Sequence, residues 1–197
     1  MTIARRRFDT RDIARIAVFA AILAALGLVA PIPLGPVPIT AQTLGVMLAG
    51  TVLGPWRGAA AVLVFELLVL IGLPLLAGGH GGVGSFVGPA SGFLIGWIPG
   101  AFVTGLLAHS GSGRLTWWRV ALGCVVGGAL VVYAVGIPLQ SLYTGLSLGA
   151  AALSSAVFLP GDLIKTALAT VLTLVLWKAY PPVFGSRRRT ARASLDS

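Results

Sequence analysis

Asp162 and Lys165 are opposite charges three residues apart, inside the most apolar third of a chain that is only 10% charged. Hydrocarbon penalises an unanswered ion by roughly 3 kcal/mol or more, so an acid and a base in such a segment must answer each other or a bound molecule. Within Phe158-Leu-Pro-Gly-Asp162-Leu-Ile-Lys165 the i, i+3 spacing puts both side chains on one helical face. A mutual salt bridge and a shared ligand both satisfy that geometry. Glu66 is a third ionisable group in apolar sequence, with no adjacent cation. It must be protonated, face a wet cavity, or meet Lys165 or another group across the fold, and a protonated packing role is the expectation.

Other chemistry is sparse. His80 sits in the glycine-rich run Gly72-Leu-Pro-Leu-Leu-Ala-Gly-Gly-His80-Gly-Gly-Val-Gly-Ser-Phe-Val-Gly-Pro89 and has no second His, Cys or acid at ligand spacing, which argues against a metal site. The glycines from Gly79 onward fit the dinucleotide pattern, but no strand precedes them and no acid follows at the required distance. Gly79 and its neighbours instead allow backbone N–H groups to close over a small polar or anionic molecule; a flexible turn is the alternative. The serines lack a paired His and acid, no carboxylate dyad occurs, and there is no phosphate-binding loop. The chain reads as a non-enzyme without a cofactor, unable to hydrolyse ATP through a P-loop.

The elements that position these residues follow from composition. With 57% hydrophobic residues, 27 glycines and a mean hydropathy of +0.97, the 197 residues read as an all-α membrane protein. Six segments approach the length needed to cross about 30 Å of hydrocarbon at 1.5 Å per residue: 13–30, 38–53, 57–73, 89–108, 118–135 and 160–180. They make one membrane domain over 1–180, followed by a basic, flexible cytoplasmic tail over 181–197. Between the first two, Pro31-Ile-Pro33-Leu-Gly-Pro36-Val-Pro38 excludes ordinary helix and requires a turn or structured cap.

Charge sets the orientation. Thirteen of the fourteen Lys and Arg residues fall in the two tails and the second and fourth connections, and Lys165 is the exception. By the positive-inside rule both termini are cytoplasmic, and Trp56, Trp117, Trp118 and Trp177 fall at the same interface. The net charge of +9 therefore reports topology, since the basic residues form no groove-reading face for nucleic acid. Ala4-Arg-Arg-Arg-Phe8 shares part of a twin-arginine signal, but charges interrupt its approach to the apolar run and no clear cleavage pattern follows, so a retained first span is expected. Pro160 and Asp162 suit the first turn of the sixth span on the outer side, which puts the pair about one turn below the outer rim. His109, at a cytoplasmic end, reads as a solvated terminus. The glycines 84, 88, 92, 96 and 100 form one small stripe for close helix packing if the turn before the fourth span is helical. A second small face, Ala14, Ala17, Ala21 and Ala25, lies on the first span.

Several words together resemble the BioY family, the biotin-binding S components of energy-coupling-factor vitamin transporters. They are Pro36-Val-Pro-Ile-Thr-Ala-Gln-Thr-Leu-Gly-Val-Met-Leu-Ala-Gly50, Leu53-Gly-Pro-Trp-Arg-Gly58, the run from Gly72 to Gly82, Gly88-Pro-Ala-Ser-Gly-Phe93, and 158–165, the most specific. The resemblance implies a six-helix bundle with structured extracellular loops that captures biotin from outside in the prokaryotic cell membrane. It also implies a transmembrane coupling subunit and two cytoplasmic ATPases as partners, with Ala17 and Ala21 as the docking face. Asp162 and Lys165 would meet biotin, joined by Gln42, His80 and Tyr143. Two positions depart from the family pattern: Phe93 stands where Tyr is common, and Glu66 where an apolar or aromatic residue is usual. The alternatives are a solitary proton-coupled or passive carrier using Glu66, and a ligand-free membrane scaffold.

Overall fold

The computed structural model describes residues 9–33, 37–111 and 114–184. Arg5, Arg6, Arg7 and residues 185–197 lie outside the described residues; the first four residues of the tail expected over 181–197 form a 3-10 turn, Pro181–Phe184, whose buried Phe184 packs edge-on against Trp177 at 5.0 Å. Among those described, every named element is helical. Helix α1 is Thr10–Gly27, α2 Gln42–Leu53, α3 Pro55–Leu70, α4 Ser91–Ala108, α5 Trp117–Val125, α6 Val132–Thr144, α7 Leu148–Ser155 and α8 Leu159–Ala179. The π-helical stretch Val126–Val131 joins α5 to α6 without a break.

Local chemistry explains where these elements begin and end. Asp9 caps α1 by accepting the Thr10 N–H at 2.7 Å, so this helix starts three residues before the expected 13. It ends at Gly27, where the missing side chain admits the Leu75 carbonyl; a Cβ there would overlap it. Beyond it, Ile32 and Ile39 exchange two antiparallel backbone bonds of 2.9 and 3.0 Å, forming the cap that the prolines require. Helix α2 consequently begins at Gln42 rather than 38. Gly54, at φ +82°, then turns the chain straight into α3, which opens with Pro55.

Packing inside lipid depends on close backbone approach, because lipid tails remove most of the hydrophobic drive between helices. Gly92, Gly96 and Gly100 of α4 provide it against the long α5–π–α6 helix; a Cβ on Gly96 would lie 3.1 Å from Val132 Cα. The expected five-glycine stripe is shorter than this because Gly84 lies in a 3-10 turn, Val83–Phe86, and Gly88, at φ +149°, is outside any helix. Polar ties add to the packing. The Thr51 and Thr173 hydroxyls bond at 2.8 Å between α2 and α8, and Asp12 pairs with Arg15 at 3.3 Å and with Arg57 at 3.0 Å, linking α1 to α3. Arg15 also donates to the Pro182 carbonyl at 2.7 Å. His109 departs from the expected solvated terminus, since its Nε2 lies 2.7 Å from the Thr51 carbonyl.

The region expected to be a plain connection after 135 is mostly helical. Helix α6 runs on past Pro138 to Thr144, closes with Gly145 in the left-handed region at φ +71°, and is followed by α7. By length and composition three helical stretches among the described residues suit a membrane crossing: Ser91–Ala108, Trp117–Thr144 and Leu148–Ala179. Leu163, Ile164, Leu168, Val171 and Val175 of α8 are exposed, a face that lipid accepts and water does not.

Candidate functional site

A cavity of about 450 Å³ lies among the start of α2, the loop between α3 and α4, the first turns of α4, the π stretch, α6 and the start of α8. Its size falls in the range usual for small-molecule sites, about 300–1,000 Å³. Most of its wall is apolar, with Phe93, Leu94, Trp97, Val132 and Phe158 contributing. Phe93 and Phe158 meet edge-on at 5.9 Å between centroids, and Tyr133 packs against both, at 6.2 and 6.5 Å.

One side of the cavity is polar. Lys165 Nζ lies 3.1 Å from Asp162 Oδ1 and donates to Thr43 Oγ1 at 2.7 Å. Tyr133 donates its hydroxyl to the other Asp162 oxygen, Oδ2. The result is a chain of four side chains from three helices, Tyr133 on α6, Asp162 and Lys165 on α8, and Thr43 on α2, all lining the cavity. Asp162 is 6% exposed. Such a buried pair loses much of its solvation, and the hydroxyls of Tyr133 and Thr43 recover part of that loss. Binding capacity is left over, because an ammonium has three donors and a carboxylate has about four acceptor sites.

The other residues singled out from sequence divide into two groups. Gln42 and His80 line the cavity with the pair. Gln42 is almost fully buried; its Nε2 donates to the carbonyls of Leu23 at 3.2 Å and Leu75 at 3.0 Å, and its Oε1 accepts the Ala77 N–H at 3.1 Å. These bonds make it a tie between α1, α2 and the 72–82 loop. His80 has Nδ1 3.1 Å from the Ala77 carbonyl. Gly79 and Tyr143 are not brought in: Gly79 is exposed with open space where a Cβ would stand, and Tyr143 is exposed at the end of α6, neither lining the cavity. Ala17 and Ala21 stand on the outer face of α1, opposite the buried Phe19 and Leu23. Glu66 is buried on α3 away from the cavity lining, with no hydrogen-bond partner for Oε1 among the described residues, and Lys165 is engaged elsewhere.

The BioY family model matches residues 2–182. The chain belongs to the BioY family. A Rhizobium etli relative, a biotin transporter BioY, is 50% identical over 180 residues, which span 88% of this chain and 96% of its own. The biotin transporter BioY of Rhodobacter capsulatus is 53% identical over 169 residues, 79% of this chain and 87% of its own. Among solved structures, the S component for biotin from an ECF-type ABC transporter superposes with a TM-score of 0.81 at 35% identity, covering 90% of this chain and 95% of that one. Two polar members of this BioY cavity, Tyr133 and Thr43, were missed by sequence reasoning. Thr43 sits beside Gln42 inside the family-like word and was there to be found. Tyr133 lies in an unbroken apolar run and gave no comparable signal.

Proposed function

We propose that this chain is the substrate-binding membrane subunit that captures biotin from outside the cell and delivers it inward, with energy supplied by partner proteins. The observation that carries this reading is the mostly apolar cavity with one hydrogen-bonded polar wall, Tyr133–Asp162–Lys165–Thr43. Biotin matches both parts. Its ureido ring offers two N–H donors and a carbonyl, its tail ends in a carboxylate, and each tail methylene buried against the apolar wall contributes about 0.8 kcal/mol. Asp162 accepts from the ureido nitrogens, and Lys165 donates to the carbonyl or the carboxylate. Gln42 and His80 shape the wall under the outer loop. Biotin is cargo here, and the chain needs no cofactor of its own.

In this reading α1, α2, α3, α4, the α5–π–α6 helix and α8 are six crossings of a prokaryotic inner membrane. Both termini are cytoplasmic, as the one-sided distribution of basic residues supports. Ala17 and Ala21 present small side chains to a transmembrane coupling subunit, which links the chain to two ATPases. The names of the relatives and of the matching S component support the cargo and the transporter class. A solitary carrier built on Glu66 is disfavoured, because that carboxyl does not line the cavity. Equilibrium binding of labelled biotin to the purified chain tests the proposal: saturable binding supports it, and no binding removes it.

A further inference from the structure

The polar wall depends on a residue whose direction is set by an irregularity in its helix. Gly100 of α4 packs on both Gly127 and Val132, and Gly96 packs on Val132; a Cβ on Gly100 would lie 2.9 Å from Gly127 O and from Val132 Cγ2. Gly127 and Val132 are thus on the same face, although five residues apart. Five α-helical residues turn about 500°, which would leave the two roughly 140° apart. The wider turn of the π stretch Val126–Val131 absorbs the extra residue. It keeps Val132 on α4 and so leaves Tyr133, the next residue, pointing at Asp162.

We infer that Tyr133 is a positioning residue of the ligand site, whose hydroxyl locks the plane in which the Asp162 carboxylate accepts the ligand's N–H groups. The inference rests on the biotin reading of the cavity. Both carboxylate oxygens are held, Oδ1 by Lys165 and Oδ2 by Tyr133, so the group cannot rotate without breaking a charge-assisted bond. Each oxygen keeps a further acceptor site, and those sites are presented to the cavity in a fixed orientation. The phenol is itself immobilised edge-on against Phe93 and Phe158. No polar residue adjoins Tyr133 in sequence, so this hydroxyl is the only polar side-chain group that the Val132-Tyr133-Ala134 segment offers to the cavity.

The test compares biotin affinity of the full-length purified chain with tyrosine, phenylalanine or 4-aminophenylalanine at position 133. Tyr133→Phe keeps both ring contacts and removes only the donor; biotin binding is expected to weaken about tenfold or more, the size of one charge-assisted bond. The 4-amino variant restores an N–H donor at the same place and is expected to recover to within about threefold of wild type. That rescue separates positioning from packing, since the ring is the same in all three proteins. It also remains readable if the phenylalanine variant does not fold. Wild-type affinity in Tyr133→Phe, or a 4-amino variant more than about threefold weaker than wild type, overturns the inference. Absence of biotin binding in the wild type overturns the biotin reading itself, a result distinguishable from failure of a variant alone.

Discussion

At the residue scale the proposed site depends on how two charges survive in an apolar helix. Asp162 and Lys165 pair with each other, and each has a hydroxyl partner, Tyr133 or Thr43. Removing either member leaves the other charged and under-compensated, a change that costs about 3–5 kcal/mol for buried pairs. That cost falls on stability. For binding, each variant loses a charge-assisted bond to the ligand of about 1.5–3 kcal/mol, so Asp162→Asn and Lys165→Ala are each expected to weaken biotin binding by about tenfold or more while membrane insertion is retained, measured by equilibrium binding on purified protein. Gln42→Ala removes three hydrogen bonds, two to the 72–82 loop and one to α1, at about 1 kcal/mol each; the expected outcome is faster biotin release with a lower thermal midpoint, read by dissociation kinetics and melting. The charge pair was legible in the sequence because polar groups are conspicuous in apolar surroundings, whereas Gln42 and His80 came only from the family resemblance. Gly79 and Tyr143 were polar or permissive in the same way, but the loop path and the length of α6 carry them away from the cavity. Spacing along a chain does not report either of those.

At the scale of elements, helices one to four were visible from hydropathy and charge, with most ends shifted by two to four residues, at the start of α1 by the Asp9 cap. The region after 135 was not visible, because Gly136 and Pro138 look like breakers and yet lie inside α6. The π stretch was hidden for a different reason: its five-residue step is set by the α4 glycines against which it packs, and an all-apolar run has no contrasting face to show the phase. This gives an asymmetric expectation. Deleting Leu130, an exposed residue of that stretch, shortens the step between the two contact positions from five residues to four, about 400°, which keeps Tyr133 near its present direction. Inserting one alanine at the same point makes the step six residues and turns the α6 face away. Biotin affinity should stay within about fivefold of wild type after the deletion and be lost after the insertion, each checked on monodisperse protein.

At the scale of the whole molecule the proposed function gives the two ends of the bundle separate tasks. The cavity gathers the polar groups near the start of α8, while the small outer face of α1 presents Ala17 and Ala21 beside an ion-paired end formed by Asp12, Arg15 and Arg57. Replacing Ala17 and Ala21 together with tryptophan should abolish co-purification with the coupling subunit and leave biotin affinity within about twofold of wild type, because neither residue lines the cavity. Equal loss of both properties would place α1 in the ligand site and contradict that division. The most direct test of the central claim is equilibrium binding of labelled biotin to the purified chain, alone and without any ATPase, beside Asp162→Asn. The account predicts saturable binding at one site per chain, displaced by unlabelled biotin and weakened in the variant; no saturable binding by the wild type, or unchanged affinity in the variant, would contradict it.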